Sequence, residues 1–198
     1  MSSSSPFASV RLASWLRAHP SLAGTPPELD LDALPEEPVA LFEQWIMHAA
    51  ESGVAEPHAA TLATVDADGM PDARTLLVKD VSDRGWAFAG ARASAKGAHL
   101  ADSPAAAMNF WWQPIRRAVR VRGAVHEAPL SESEEDLAKR SAAARGDLRA
   151  GEWVRWWLWP ERVEFWQGSD DRRHIRIVYT RNGDGWSRSI ENGESDHE

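Results

Sequence analysis

The strongest constraint on the fold is a series of short β-like segments separated by turn residues, which begins after Glu56-Pro57. His58 to Val65 reads as a strand, Asp66-Ala67-Asp68-Gly69 as a hairpin turn, and Ala73 to Lys79 as the returning strand. Trp86 to Ala89 predicts a third strand. This part of the chain therefore predicts an antiparallel meander.

The rest of the chain adds further strands and several helices. Strands are predicted at Ala106 to Trp112, Ala118 to Val125, Arg162 to Trp166, His174 to Arg181 and near Trp186. Helices are predicted at Ala8 to Ala18, Pro38 to Glu51, Ser94 to Ala101, and from a capping box of Ser131 and Glu134 to about Arg145. We expect a mainly β fold with flanking helices (α+β), in which six to seven antiparallel strands form a closed or partly closed barrel.

The 198 residues divide into three expected regions. Residues 1–34 are rich in Ser, Pro and Ala and predict a loosely held, partly disordered arm. Residues 35–190 form the single folded domain, and the polar, acidic residues 191–198 predict a disordered tail. The length allows one domain with a substantial core but not two catalytic domains.

Composition excludes several classes of function. The chain has no cysteine, which rules out disulfides, zinc-thiolate sites, iron–sulfur sites and thiol catalysis. A net charge of −8 argues against general nucleic-acid binding. No apolar run approaches the roughly 20 residues of a membrane helix, no secretion signal is seen, and no metal-ligand set is found. We expect no membrane partner, no metal and a cytoplasmic location.

Positive charge is concentrated in Arg172-Arg173-His174-Ile175-Arg176. On a strand, Arg172, His174 and Arg176 would project from one face, because side chains alternate. Positive side chains in such a row repel one another unless an anion neutralises them. A phosphate or a carboxylate fits, because a guanidinium can donate two parallel hydrogen bonds to it. A solvated strand face is the alternative.

Two further sets of residues could contribute to the same chemistry. Arg74 and Lys79 lie five residues apart, so both reach one ligand only if the strand bends, bulges or ends between them. Ser94-Ala95-Lys96 begins a predicted helix, whose N-terminus favours an anion.

Tryptophans could add flat surfaces to such a site. Trp166 could stack on a heteroaromatic ring, with a core position as the more common explanation. The unusual run of Trp153, Trp156, Trp157 and Trp159 fits a dimer contact, with a lid or a stacking role as alternatives.

Several motifs resemble the pyridoxamine 5′-phosphate oxidase family in order and spacing, from about residue 32 to 188. They are Asp32 to Pro38, Leu41 to Trp45, Glu56 to Asp66, Arg74 to Lys79, Ser94 to Gly97, Val163 to Gly168 and Arg172 to Arg176. The last is the most specific, because an aromatic strand followed at fixed distance by Arg-x-His-x-Arg is hard to obtain by chance.

The resemblance implies a split β-barrel homodimer that holds FMN at the subunit interface. It implies FMN contacts from Arg74, Thr75, Leu76, Leu77, Val78, Lys79, Ser94, Lys96, Trp166 and Arg176. It places Lys79, Arg172, Arg173 and His174 at the substrate, with Arg172 and His174 as catalytic residues.

The implied activity is that of an FMN-dependent oxidase. Hydride would pass from a phosphorylated or carboxylated heteroaromatic to the flavin, and the electrons then to molecular oxygen. The substrate would be pyridoxine or pyridoxamine 5′-phosphate or a related small anionic aromatic, such as a phenazine intermediate.

The chain also departs from the family pattern. Ala89, Gly90, Ala95 and Ala118 replace side chains that usually contact the flavin or its phosphate. In the segment that usually holds the substrate phosphate, only Arg145 or Arg149 could substitute. The segment from Trp153 to Arg162 is shorter than usual. These departures keep two alternatives open: a non-catalytic split barrel that binds flavin or pyridoxal phosphate, and a reductase that uses F420.

Overall fold

Nine antiparallel strands form one sheet in the computed structural model, which describes residues 6–146, 148–149 and 151–192. The strands are β1 Ala59–Val65, β2 Pro71–Leu77, β3 Asp80–Ser82, β4 Gly85–Ala91, β5 Ala105–Trp112, β6 Arg117–Glu127, β7 Trp153–Gln167, β8 Ile175–Asn182 and β9 Gly185–Asn192. The helices are α1 Pro6–Ala18, α2 Pro38–Glu51, α3 Ala95–Asp102, α4 Leu130–Ala138 and α5 Ala142–Arg145. The mainly β, α+β prediction is confirmed.

The sheet curls into a split barrel. The strand order is β2-β1-β5-β6-β7-β4-β3, with β8 and β9 branching from β7. β2 and β3 stand at opposite ends of this order, yet only residues 78 and 79 separate them along the chain. The barrel therefore remains open between two strands that are neighbours in sequence.

Helix α2 fills the inner side of the barrel, as its apolar spacing predicts. Phe42 packs edge-on against Phe110, with ring centroids 4.9 Å apart, and Trp45 packs against Phe165 at 5.2 Å. All four side chains are buried. Burial of large aromatic side chains of this kind contributes about 1.5–3 kcal/mol each to folding.

Strand β7 is longer than its sequence pattern predicts. Its first half pairs with β4 and its second half with β8, while β6 follows it along nearly its whole length. The predicted strand began at Arg162, but the structure begins it at Trp153. Alternation is absent from the first half because α4 covers the face that does not point into the core.

The contacts of α4 also correct the interpretation of the tryptophan run. Trp153 donates to Asp136 at 2.8 Å and Trp157 donates to Glu132 at 3.2 Å, while Trp156 lies in the core. These three indoles are buried within their own chain, so the dimer-contact interpretation is wrong for them. Trp159 remains 41% exposed.

The capping-box prediction for α4 is wrong. The helix begins at Leu130 after Pro129, without a side-chain cap, and ends at Ala138 rather than near Arg145. Ser133 instead turns its hydroxyl toward β7, where it accepts the backbone N–H of Arg155.

The arm is more firmly attached than its composition predicts. Residues 22–35, here called the strap, accept hydrogen bonds from Gln113 at Ala23, from Gln167 at Pro27 and from Tyr179 at Pro35. A loosely held arm is therefore wrong for the strap. At the other terminus β9 continues to Asn192, and the rest of the predicted tail lies outside the described residues. Among the described helices, none has the length and apolarity to cross a bilayer.

Candidate functional site

Arg74, Ser94 and Lys96 come together beside the first turn of α3 and are called the anion cradle below. Ser94 caps the helix and accepts the N–H of Gly97, and the Lys96 ammonium donates to the Ser94 hydroxyl at 3.2 Å. Burial lowers the pKa of Lys96, and the positive charge of Arg74 lowers it further. Two cations at a helix N-terminus form a favourable place for a phosphate or carboxylate.

Arg74 is held by its own strand and by the neighbouring one. Its Nη1 donates to the Thr64 hydroxyl at 2.6 Å and to the Leu62 carbonyl at 3.3 Å. Its Nη2 pairs with Asp72 at 2.6 Å. The guanidinium is thus fixed over the neighbouring strand β1, while the other edge of β2 has no partner strand among the described residues.

The structure resolves how Arg74 and Lys79 are related. β2 ends at Leu77, after which the backbone N–H of Val78 donates to the His58 carbonyl and the backbone N–H of Lys79 donates to the Ala87 carbonyl at 2.7 Å. The strand therefore ends between the two cations, which is one of the conditions that the sequence left open. Thr75 and Leu77 lie on the exposed face of β2, and Leu76 lies with Arg74 on the other.

Gly90 leaves space for the side chain of Lys96. A Cβ atom at residue 90 would lie 2.1 Å from the Lys96 ammonium nitrogen and 2.4 Å from its Cε. The glycine that departs from the family pattern therefore makes room for a cradle cation. The same ammonium lies 5.9 Å from the centre of the Trp156 ring.

A second group, here called the aromatic set, consists of Trp111, Trp166 and His174. The ring centroids of Trp111 and Trp166 are 6.0 Å apart, and those of Trp166 and His174 are 4.9 Å apart. Ala118 pairs with both tryptophans across β6. Trp111 is 48% exposed, so the set presents a flat apolar surface beside a small residue.

The strand prediction for Arg172 and His174 is wrong. β8 begins only at Ile175, and Arg172 sits in a turn with a positive φ of 62°. Strict alternation therefore does not place these side chains. The turn is held by the backbone N–H of Ser169, which donates to Nδ1 of His174 at 3.1 Å, while Arg173 pairs with Asp171 at 2.9 Å.

The electrostatics of this turn keep His174 neutral. Burial lowers the pKa of His174, and the charges of Arg172 and Arg176 add to that effect, while Asp171 opposes it. A neutral ring that accepts at Nδ1 carries its hydrogen on Nε2. His174 can therefore offer one N–H to a ligand.

Arg176 lies on β8 opposite Trp166 and beside a buried carboxylate. Glu164 is 6% exposed and lies 2.7 Å from Arg120, 2.7 Å from Arg162 and 3.6 Å from Arg176. Burial raises the pKa of Glu164, but the hydrogen bonds and charges of Arg120 and Arg162 outweigh it and the pKa is lowered. One carboxylate thus organises three guanidinium groups next to Trp166.

The cradle and the aromatic set are separated within one chain. The cradle belongs to β2 and α3, whereas Trp166 and Arg176 belong to β7 and β8, and the strands β1, β5 and β6 lie between. Lys96 of the cradle lies near Trp156 in the first half of β7, whereas Trp166 lies near the end of that strand, roughly 30 Å further along at about 3.3 Å per residue. The predicted cofactor residues therefore lie in two separate groups, which are called the half-sites below.

Thr64 and Glu164 were not among the predicted site residues. A signal for Thr64 exists, because the hairpin turn at residues 66–69 sets it opposite Asp72, next to Arg74. No comparable signal exists for Glu164, whose three arginines come from three different strands.

Comparisons with known proteins agree with this geometry. A family model described as pyridoxamine 5′-phosphate oxidase matches residues 46–180. A pyridoxine/pyridoxamine 5′-phosphate oxidase of Thermosynechococcus vestitus is 36% identical over 81% of this chain and 90% of its own. A pyridoxine/pyridoxamine 5′-phosphate oxidase of Pseudomonas fluorescens is 39% identical over 77% of this chain and 86% of its own.

Solved structures show the same fold. PhzG from Burkholderia lata, in complex with tetrahydrophenazine-1-carboxylic acid, superimposes with a TM-score of 0.78 at 26% identity, over 84% of this chain and 98% of that one. An FMN-binding, pyridoxamine 5′-phosphate oxidase-related protein from Nostoc punctiforme superimposes with a TM-score of 0.66 at 19% identity, over 80% of this chain and 97% of that one.

Proposed function

Because the chain belongs to the pyridoxamine 5′-phosphate oxidase family, we propose that it is an FMN-dependent oxidase of a phosphorylated or carboxylated heteroaromatic substrate. The observation that carries the proposal is the anion cradle. Two cations, a hydroxyl and a helix N-terminus converge there, and Lys96 is partly desolvated. That donor set fits a phosphate monoester such as the one FMN carries.

The described residues have separable tasks in this proposal. Arg74, Ser94 and Lys96 hold the phosphate, and the open edge of β2 offers backbone groups to the ring. When bound, FMN supplies the chemistry of hydride acceptance and electron transfer to oxygen. The protein contributes binding, orientation and exclusion of water.

The aromatic set and the adjoining turn suit a flat anionic substrate. The relatives act on pyridoxine or pyridoxamine 5′-phosphate by name, and PhzG binds a carboxylated tricyclic molecule. Both ligand types combine a ring with an anionic group. Trp166 offers a stacking surface, His174 offers an Nε2–H, and the exposed Arg172 offers a cation.

A homodimer would unite the two half-sites. The outward residues of β1, β2 and β5 are uncharged and mostly small, and they are exposed or half-buried: Ala59, Thr61, Ala63, Val65, Pro71, Ala73, Thr75, Leu77, Ala105, Ala107, Asn109 and Trp111. Depletion of charge is typical of the centre of a protein interface. We infer that a second copy packs on this outer face and sets its aromatic set against the cradle.

The test combines an absorbance spectrum of the purified protein, after FMN is added and the excess removed, with oxygen uptake on pyridoxine 5′-phosphate. Retained FMN with oxygen uptake supports the proposal. Retained FMN without uptake on this substrate or on carboxylated aromatics supports a non-catalytic flavin-binding protein instead. Loss of FMN contradicts the cofactor assignment.

A variant pair connects this result to the cradle. Lys96→Met should weaken FMN binding by at least about tenfold, because a charge-assisted contact to phosphate is lost. Lys139→Met removes an exposed lysine beyond α4 and should leave FMN affinity unchanged. If Lys96→Met and Lys139→Met bind FMN with equal affinity, Lys96 does not contact the FMN phosphate.

A further inference from the structure

Thr64 is a buried hydroxyl at the junction of three elements. It lies on β1 and is 2% exposed. Its Oγ1 lies 2.6 Å from Nη1 of Arg74 on β2 and 2.9 Å from Nδ1 of His99 on α3. This single side chain therefore links the cradle strand to the cradle helix.

The chemistry of the three groups fixes the direction of the Arg74 hydrogen bond and allows Thr64 to donate to His99 when Nδ1 of His99 carries no proton. A guanidinium has no acceptor, so Thr64 accepts from Arg74. A hydroxyl carries one proton besides its lone pairs, so Thr64 can at the same time donate to Nδ1 of a neutral His99. The chain of bonds then runs from Arg74 through Thr64 to His99.

Thr64 supplies the buried part of the attachment of Arg74. The other side-chain partner, Asp72, is 55% exposed, and an exposed ion pair restrains a guanidinium weakly. The contacts to Thr64, Leu62 and Asp72 use Nη1 and Nη2. None of these contacts uses Nε. The direction in which the Nε edge of the guanidinium points is therefore set by the anchored Nη1.

We propose that Thr64 is a positioning residue for the phosphate of the bound cofactor. It does not touch the phosphate; it orients Arg74 and fixes that strand residue to α3, which carries the other cradle groups. This inference rests on the proposed function, because it takes the cradle ligand to be a phosphate. It adds Thr64 and His99 to the residues that determine phosphate affinity.

A purely structural role for Thr64 makes a different prediction. If the side chain only filled space, Thr64→Val would be nearly neutral, since valine has almost the same shape. If it only stabilised the fold, its loss would weaken every ligand equally. A positioning role requires loss of affinity for the phosphorylated flavin alone.

The experiment measures dissociation constants for FMN and for riboflavin, which lacks the phosphate, by quenching of flavin fluorescence. We expect Thr64→Val to weaken FMN binding about tenfold, the size of a hydrogen bond to a charged group, with riboflavin binding unchanged. Thr64→Ser restores the hydroxyl and should bind FMN like the parent chain. Unchanged FMN affinity in Thr64→Val, or equal weakening of both flavins, overturns the inference.

The parent chain separates this inference from the proposed function. If the unmodified protein binds riboflavin as tightly as FMN, the cradle is not a phosphate site and the proposed function fails. If it prefers FMN and Thr64→Val keeps that preference, only the positioning role of Thr64 fails. Should Thr64→Val not fold, Thr64→Ala removes the same hydroxyl without added bulk, and the same outcomes decide.

Discussion

His174 owes its position to a backbone group rather than to a strand. The Ser169 N–H donates to its Nδ1, and the surrounding arginines disfavour a second proton on the ring. Protonation would turn Nδ1 into a donor facing a donor. The neutral ring therefore stabilises the turn at residues 169–174, and a protonated ring opposes it.

The pH dependence of His174 follows from this contact. Its pKa in the folded state is lowered from the ordinary value of about 6.5, so the unfolded chain binds more protons and stability falls as pH drops below that value. Nuclear magnetic resonance titration should place its midpoint below that of a free histidine. His174→Asn keeps an acceptor for the Ser169 N–H and should lose less stability than the parent chain between about pH 6.5 and pH 5. A midpoint above the ordinary value contradicts this account.

The residue scale also shows what the sequence could reveal of the site. Arg74, Ser94 and Lys96 were predicted from charge and from the helix start, and the structure brings them together. The hairpin turn sets Thr64 next to Arg74, but Thr64 escaped prediction because its residue type is unremarkable in a strand and its other partner, His99, lies 35 residues away. Contacts that join separate elements are not encoded in local spacing.

Strand β7 is the element that connects the core to the candidate site. Its inward residues Val163 and Phe165 are buried in the core, and its outward residues Glu164 and Trp166 reach the site. Glu164 compensates arginines from β6, β7 and β8 at once. Its removal takes the shared carboxylate away from Arg162 and Arg176, whose side chains are half-buried.

Glu164→Gln should therefore destabilise the fold by about 3 kcal/mol, the cost of breaking a buried ion pair. Arg120→Gln removes one partner that is 53% exposed and should cost less than about 1 kcal/mol. Urea unfolding at pH 7 measures both. Since the pKa of Glu164 is lowered, the carboxylate stabilises the fold above about pH 4.5 and this stabilisation is lost as the pH falls. The free energy of unfolding of Glu164→Gln should therefore depend less on pH in the acid range than that of the parent chain. If the two variants lose the same free energy of unfolding, Glu164 does not stabilise the three arginines in the way described here.

Strand prediction succeeded for the strands that have one covered face and failed for the first half of β7, which is covered on both faces. The alternating patterns of β1, β5 and β6 match their positions closely. The first half of β7 has core on one face and α4 on the other, so its residues show no alternation. The capping-box prediction failed because the helix already begins at Leu130, after Pro129, so Ser131 lies within the first turn rather than at the cap position.

At the scale of the whole molecule, one chain presents two half-sites on either side of an uncharged face. The cradle stands at the β2 edge and the aromatic set at β7 and β8, with β1, β5 and β6 between them. The FMN contacts that the family resemblance implies are divided between them, because Arg74, Ser94 and Lys96 lie in the cradle and Trp166 lies in the aromatic set. If FMN contacts both groups, as we propose, we expect it to be retained only when two copies associate through the outer face.

Thr61→Arg tests this arrangement. Thr61 is exposed at the middle of the outer face, between Thr75 and Asn109, so an arginine there leaves the isolated chain folded but places a charge in the contact between copies. Sedimentation velocity should show a monomer, and the same sample should lose FMN because the half-sites have separated. Ser52→Arg, at the exposed C-terminal end of α2, adds the same charge elsewhere and should remain dimeric with FMN bound. A Thr61→Arg monomer that keeps FMN would show that one chain suffices. If Thr61→Arg remains dimeric, the two copies associate through a face other than the outer face.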